Sequence, residues 1–194
     1  EMNSVDDFKG LKMRTPGLGG EVLTKMGGTV VNMPAGEIFT AMQTGAIDAT
    51  EWIGPYNDLA LGLHKAAKYY YTPGWQEPNV TFELDVNLKA WETLPDDLKA
   101  IVRAAARDVN GDMLDDYNAK NMEALEQLRE QGVEVRRLPD EVLARLKEVA
   151  AEVVDASAKA DPVAAKVWEQ QSAYLKRLYE YAELNEKDIY NIRG

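Results

Sequence analysis

The strongest constraint on the fold is a regular alternation of short apolar strands with short helices over residues 1–93. The strand segments are rich in β-branched and aromatic residues, and two of the helical segments are followed directly by glycine. Because parallel strands need a crossover between them, this alternation predicts an α/β fold with a mainly parallel sheet. The predicted strands span residues 11–14, 29–33, 46–52, 69–71 and 80–86, and the predicted helices span residues 20–26, 34–44 and 56–67.

The pattern changes to long helices after residue 93. Leu94-Pro95-Asp96-Asp97 is typical of a helix start, since proline suits the first turn and acidic groups suit the positive end of the helix dipole. Apolar residues then keep helical spacing as far as Gly132. A strand at 133–136 and two helices separated by Asp161-Pro162 complete the chain. We therefore divide it into an α/β segment at 1–93, a long helix at 94–132, and a strand with C-terminal helices at 133–194.

Charge and residue types exclude several kinds of function. The chain has 33 acidic and 22 basic side chains and a net charge of −11, which repels phosphate backbones and argues against nucleic acid as a partner. No apolar run reaches the length that a bilayer-spanning helix needs. There is no cysteine and only one histidine, His64, so thiolate zinc sites and Cys–His catalysis have no residues to form them.

Charged and aromatic side chains follow three of the predicted strands. Arg14 ends the first strand, Glu51 and Trp52 end the third, and Trp75 and Glu77 follow the tyrosine-rich strand. Ligands of open α/β sheets gather at the carboxyl ends of strands, so these side chains are candidates for one site. An arginine there can hold a carboxylate through two parallel hydrogen bonds. The competing interpretation is that they are ordinary solvated residues at strand ends.

Two kinds of chemistry fit this set of residues. Glu51 and Glu77 can act as the acid pair of a glycoside hydrolase. Alternatively, the same residues form a binding site for an anion, in which a cation offsets the repulsion between the two glutamates and the ligand. Oxygen donors without histidine or cysteine favour calcium or sodium over zinc. The residues alone leave both alternatives open.

Three sequence blocks resemble the solute-binding subunits of TRAP (tripartite ATP-independent periplasmic) transporters. Residues 8–14 (FKGLKMR) resemble the family's strand motif, residues 34–48 (PAGEIFTAMQTGAID) resemble its signature block, and Leu94-Pro95 opens a long helix as in the family. The resemblance implies a periplasmic-binding-protein-like lobe whose helix at 94–132 connects two lobes. It also implies a periplasmic protein that is not an enzyme and that delivers a small carboxylate to membrane permease subunits.

One departure points to a particular branch of that family. Many relatives have glycine and asparagine where this chain has Ala49 and Trp52. The segments 49–52 and 73–78 are instead similar to the branch that binds 2-oxo or 2-hydroxy acids, such as pyruvate or lactate, together with a metal ion. By that resemblance, the ligand-binding residues are Arg14, Trp52 and Trp75, and the metal ligands are Glu51, the Trp52 main chain and Glu77.

The resemblance carries two further expectations. Members of this branch pair through their terminal helices, and here the last helix has an apolar stripe, so we expect a homodimer through the C-terminal helix. Family members also carry a section before the strand that contains Arg14, including ligand residues of the first lobe. We expect the chain from Glu1 to lack that N-terminal part of a two-lobed fold.

Overall fold

A three-stranded parallel sheet lies in the first part of the chain. The computed structural model describes residues 1–77 and 82–193. Its strands are β1 (Lys12–Arg14), β2 (Thr29–Val30) and β3 (Ala49–Thr50), in the order β2-β1-β3. In the parallel register Met13 lies opposite both Val30 and Ala49, and its side chain is buried. The prediction of an α/β fold with parallel strands is therefore confirmed.

Each of these strands is followed by a short helix. The helices are α1 (Gly17–Lys25), α2 (Ala35–Thr44) and α3 (Pro55–Ala60). Helix α2 ends where predicted, because Gly45 adopts a left-handed conformation with φ of 72°. Apolar side chains between α2, β3 and the following turn form a buried cluster of Ile38, Ile47 and Leu63.

A second parallel pair forms later in the chain. Strand β4 (Tyr69–Thr72) pairs with β5 (Glu134–Arg137). Between them lie α4 (Leu88–Thr93) and α5 (Asp96–Glu130), a helix of 35 residues that confirms the predicted long helix. Helix α3 packs on α5 through an edge-to-face contact of Tyr56 with Tyr117, with ring centroids 6.2 Å apart.

The chain ends in three helices, α6 (Asp140–Lys159), α7 (Pro162–Leu184) and α8 (Glu186–Arg193). Asp161 begins α7 by accepting hydrogen bonds from the N–H groups of Val163 and Ala164, each at 2.8 Å. Residues Glu1–Lys147 and Glu148–Gly194 form two separate compact units. None of the helices among residues 1–77 and 82–193 combines the length and apolar character needed to span a membrane.

Several predicted elements are shorter in the structure. The strands predicted at 29–33 and 46–52 are reduced to two residues each, because their common neighbour β1 is itself only three residues long. The helix predicted at 56–67 stops at Ala60 and resumes as a 3-10 turn at Leu63–Lys65, since Gly62 has a φ of 76°.

The prediction of a strand at residues 80–86 was wrong for Phe82 to Val86. These residues have no regular secondary structure, and Phe82 and Leu84 are exposed. Residues 80 and 81 lie outside the described part of the chain. Alternating apolar residues form a strand only where a partner strand pairs with them, and no strand among the described residues pairs with this segment.

Candidate functional site

Arg14 and Glu51 meet at the carboxyl ends of neighbouring parallel strands. Arg14 is the last residue of β1 and lies opposite Thr50 of β3, so Glu51 follows directly. The N–H of Glu51 donates to the carbonyl oxygen of Arg14 at 3.2 Å. The parallel register thus brings together two residues that are 37 positions apart in the sequence.

The two side chains form a largely buried ion pair. Arg14 Nη1 donates to Glu51 Oε1 and also, at 3.2 Å, to the main-chain oxygen of Glu51. Only 13% of the Arg14 side chain and 9% of the Glu51 side chain are exposed. The arginine is therefore held at this edge of the sheet by both the side chain and the backbone of its neighbour.

Trp52 provides the base of this arrangement. Its ring lies under the Arg14 guanidinium, whose carbon is 5.4 Å from the ring centroid, within cation–π range. The same side chain packs against the buried cluster of Ile38, Ile47 and Leu63. The loop after β3 is thus anchored in the core while it supports a charged group.

The local charge balance is negative. Burial raises the pKa of Glu51 above its usual range, the Arg14 guanidinium opposes this rise, and the negative charges of Glu77 and Asp58 add to it. One positive charge and two further negative charges therefore act on Glu51. An additional cation near Glu51 would stabilise its ionised form.

Trp75 and Glu77 lie in the segment that follows β4. Trp75 is half-buried and Glu77 is exposed. Within residues 1–77 and 82–193, no hydrogen bond or ion pair joins either of them to Arg14 or Glu51, although the charge of Glu77 acts on Glu51. The structure therefore brings Arg14, Glu51 and Trp52 into contact, and it brings Glu77 within electrostatic range of Glu51.

Gln76 positions this segment against helix α1. A Cβ atom on Gly19 would lie 3.2 Å from Gln76 Cβ and 3.1 Å from Thr15 Oγ1. A side chain at this position would therefore require Thr15 or Gln76 to shift by a few tenths of an ångström. Gly19 thus allows α1 and the segment after β4 to pack closely.

Beside Arg14 the surface forms an open depression. Its lining includes residues that follow β1 and β2, namely Arg14, Pro16, Gly17, Asn32, Met33 and Pro34. Residues 32–34 were not predicted as site residues. The same argument from strand ends applies to them, because β2 is parallel to β1 and ends at the same edge of the sheet.

Asp58 is a second site feature that the sequence analysis missed. This residue of α3 is 7% exposed, and its Oδ2 accepts a hydrogen bond of 2.6 Å from the hydroxyl of Tyr70. In the sequence, an aspartate early in a helix looks like an ordinary helix-start residue. Its pairing with Tyr70 of β4 depends on tertiary packing.

The residues present fit a hard cation that shares its coordination with a ligand. Glu51 has one oxygen directed to Arg14, which leaves Oε2 for a metal ion, and Glu77 and the Trp52 carbonyl are further oxygen donors. Across the described part of the chain, no group of three or more histidine, cysteine or acidic side chains is arranged to hold a metal by itself. The remaining ligands would have to come from main-chain, solute or water oxygens.

A parallel sheet with charged residues at the carboxyl ends of its strands is an architecture that binds small molecules at that edge. The chain matches the model of bacterial extracellular solute-binding proteins, family 7, over residues 1–161. It therefore belongs to this family. The family is one of transport solute-binding proteins rather than enzymes, and nothing in the comparisons favours the hydrolase alternative.

Similar proteins extend this result. A monocarboxylate 2-oxoacid-binding periplasmic protein of Nostoc sp. is 41% identical over 191 residues, which cover 98% of this chain and 52% of that protein. A TRAP periplasmic solute-binding protein of Colwellia psychrerythraea, solved with calcium and pyruvate, is 37% identical with a TM-score of 0.93. One of Pseudoalteromonas atlantica, solved with sodium and pyruvate, is 35% identical with a TM-score of 0.88.

The chain matches only part of the length of these proteins. The present chain is covered to 98% in both structural matches, whereas each match covers 58% of the solved chain. The chain thus spans about half the length of the curated relative and a little more of the solved structures.

Proposed function

We propose that the protein is the solute-binding subunit of a TRAP transporter and binds a small 2-oxo or 2-hydroxy acid, such as pyruvate or lactate, together with a calcium or sodium ion. The observation that carries this proposal is the joint placement of Arg14, Glu51 and Trp52 at one edge of the sheet. Family membership and the two related structures with pyruvate and a cation support it.

Arg14 is suited to bind the carboxylate of the solute. A guanidinium has five N–H donors, and the contacts with Glu51 use only those of Nη1. The side chain also lines the open depression, so its other donors can serve a ligand there. The half-buried Trp52 and Trp75 supply apolar surface for the rest of a small molecule.

A cation resolves the charge conflict that a carboxylate ligand creates. Such a ligand adds a negative charge to a site in which Glu77 and Asp58 already raise the pKa of Glu51. Charge repulsion is screened weakly in a partly dehydrated site. A cation held by Glu51, the Trp52 carbonyl and Glu77, and completed by ligand oxygens, restores the balance.

The cation is tested by pyruvate titration calorimetry on the full-length protein. If the ion is calcium, exhaustive chelation should abolish binding, and if it is sodium, sodium-free buffer should do so. Glu51→Gln and Glu77→Gln should each weaken binding by at least about tenfold, as loss of a charged ligand would. Glu77→Gln separates this effect from loss of the Arg14 pair, because Glu77 has no ion pair with Arg14 in the described structure.

The control is Glu123→Gln, which makes the same change at an exposed position of α5. Its affinity for pyruvate should equal that of the wild type. If chelated, sodium-free wild type and both site variants bind pyruvate as tightly as untreated protein, there is no cation in the site. Glu51 and Glu77 would then be surface carboxylates with no part in binding.

The cellular setting follows from the same proposal. Family 7 members are extracellular, and the relatives described above are periplasmic proteins. We therefore place the protein in the periplasm, where it would pass its solute to the membrane permease subunits of the transporter.

The C-terminal helix supports a homodimer. Five apolar residues of α7 recur at helical spacing, and all of them are more than 40% exposed: Val163, Val167, Tyr174, Leu178 and Tyr181. An exposed apolar stripe of this kind is characteristic of a protein interface. A second copy of the same helix is the partner that we propose for it.

A further inference from the structure

Asp58 is a buried acidic residue without a basic partner in the described part of the chain. Burial raises its pKa, and burial also raises the pKa of Tyr70, whose hydroxyl donates to it. A buried carboxylate that lacks a counterion lowers stability. Its presence beside the candidate site therefore calls for a role other than stability.

One oxygen of Asp58 accepts a hydrogen bond from the loop that carries Glu51 and Trp52. The N–H of Ile53 points to Asp58 Oδ1 at 3.4 Å, a long hydrogen bond. In addition, the N–H of Asp58 donates to the carbonyl oxygen of Gly54 at 2.9 Å. Asp58 thus contacts the backbone directly after the two residues proposed to hold the cation.

The other oxygen of Asp58 reaches a different sheet. Tyr70 belongs to β4, which pairs with β5 and not with the sheet of β1 to β3. Five residues after the end of β4 lies Glu77, the second carboxylate proposed for the cation. The Tyr70–Asp58 hydrogen bond therefore links the two segments that carry Glu51 and Glu77.

Within the described ranges, no hydrogen bond joins residues 51–54 directly to residues 69–77, so Asp58 is the hydrogen-bonded link between them. Each of the two segments pairs with different parts of the chain, such as Arg14 for the first and β5 for the second. Glu51 and Glu77 repel each other, as the effect of Glu77 on the pKa of Glu51 indicates. In the absence of a cation, a contact between the two segments is therefore needed to keep Glu51 and Glu77 close together.

We propose that the Asp58–Tyr70 hydrogen bond is a positioning contact that sets the spacing of Glu51 and Glu77 and thereby the affinity for the cation. This inference rests on the proposed function. Calcium needs its oxygens at about 2.3–2.6 Å, so a small displacement of one segment relative to the other weakens coordination. Neither Asp58 nor Tyr70 touches the cation in this scheme.

The test compares two tyrosines of the same strand in the full-length protein. Tyr70→Phe removes the hydroxyl that bonds Asp58, whereas Tyr71→Phe removes a hydroxyl that accepts from the N–H of Met2, away from the site. Calorimetry without pyruvate should show an affinity for calcium about tenfold lower for Tyr70→Phe, as for other residues that orient metal ligands. If sodium is the ion that supports pyruvate binding, sodium replaces calcium in this and the following measurements. Tyr71→Phe should match the wild type.

A second measurement separates positioning from general destabilisation. At saturating calcium, pyruvate affinity of Tyr70→Phe should return to within about twofold of wild type, because the bound ion then holds the two segments together. Asp58→Asn keeps an acceptor oxygen for Tyr70 and should retain calcium affinity, whereas Asp58→Ala should resemble Tyr70→Phe.

If Tyr70→Phe binds calcium as tightly as the wild type does, the inference is overturned, whether or not the variant has a lower melting temperature. Equal losses in Tyr70→Phe and Tyr71→Phe would also overturn it. These outcomes leave the proposed function intact, since wild type would still bind calcium and pyruvate. Failure of the proposed function is recognised separately, because wild-type protein itself would then bind pyruvate without any cation, and the positioning contact would have no cation site to serve.

Discussion

At the level of single residues, Arg14 pairs with Glu51, and in the proposed function it also binds the carboxylate of the solute. The ion pair with Glu51 uses one nitrogen of the guanidinium, and the Trp52 ring supports its face. A planar group held in this way keeps its remaining donors in a defined orientation. A flexible ammonium group would satisfy Glu51 but could not also present a second pair of donors.

We therefore expect Arg14→Lys to weaken pyruvate binding by more than about tenfold, or roughly 1.4 kcal/mol. Isothermal titration calorimetry on the full-length protein measures this directly. Arg107→Lys, at an exposed position of α5, is the matched control and should bind as the wild type does. Equal affinities for Arg14→Lys and the control would remove Arg14 from the ligand contacts.

Asp58 gives a pH dependence with a defined sign. Its pKa is raised in the folded protein, mainly by burial, so the ionised form is disfavoured relative to the unfolded chain. Its contribution to stability is therefore present at low pH and is lost as the pH rises through the folded-state pKa. Accordingly, Asp58→Asn should gain stability relative to wild type as the pH rises above about 4, the pKa of an aspartate in the unfolded chain. A difference in unfolding free energy that stays constant as the pH rises would contradict the burial effect.

At the level of elements, helix α1 and the segment after β4 meet at Gly19. Thr15 and Gln76 pack closely around Gly19 at this contact. Since Gln76 lies between Trp75 and Glu77, the packing of one residue determines where its two neighbours lie. The α1 surface is thus part of the support for the candidate cation site.

Gly19→Ala should therefore lower cation affinity by displacing this segment, because its Cβ would approach Thr15 Oγ1 and Gln76 Cβ to 3.1 and 3.2 Å. Gly36→Ala is the matched control in α2, since its Cβ would have no neighbour within 4 Å. The control should keep calcium affinity and gain up to about 1 kcal/mol of stability from better helix propensity. Equal calcium affinities in the two variants would mean that Gln76 adjusts without moving Glu77.

At the level of the whole molecule, the exposed apolar stripe of α7 is the surface that we propose a second copy covers. Light scattering should give a dimer at concentrations on the order of tens of micromolar. Tyr174→Glu and Leu178→Glu should shift the protein towards monomer, because each places a charge in an apolar contact. Lys176→Glu, off the stripe on the same helix, should leave the dimer intact. A monomeric wild type under these conditions would contradict the proposed interface.

The order of the elements could be predicted from the sequence because it depends on local properties. Proline before α2 and glycine after it determine where that helix begins and ends, and the apolar spacing of residues 94–132 is sufficient for a long helix. The edge of the sheet at which Arg14 and Glu51 meet was predictable for a similar reason. Parallel strands end on the same side, so residues that end them lie together.

The remaining features depend on contacts between distant parts of the chain. The lengths of β2 and β3 are limited by β1, and the residues from Phe82 to Val86 lack a partner strand despite their alternation. The ion pair of Arg14 with Glu51, the approach of Gln76 to Gly19 and the hydrogen bond of Tyr70 with Asp58 each join separate segments. The sequence by itself determined which elements form and which side of the sheet carries the charged residues. Only the tertiary structure decided which side chains meet there, because burial and packing select one partner among many that are chemically suitable.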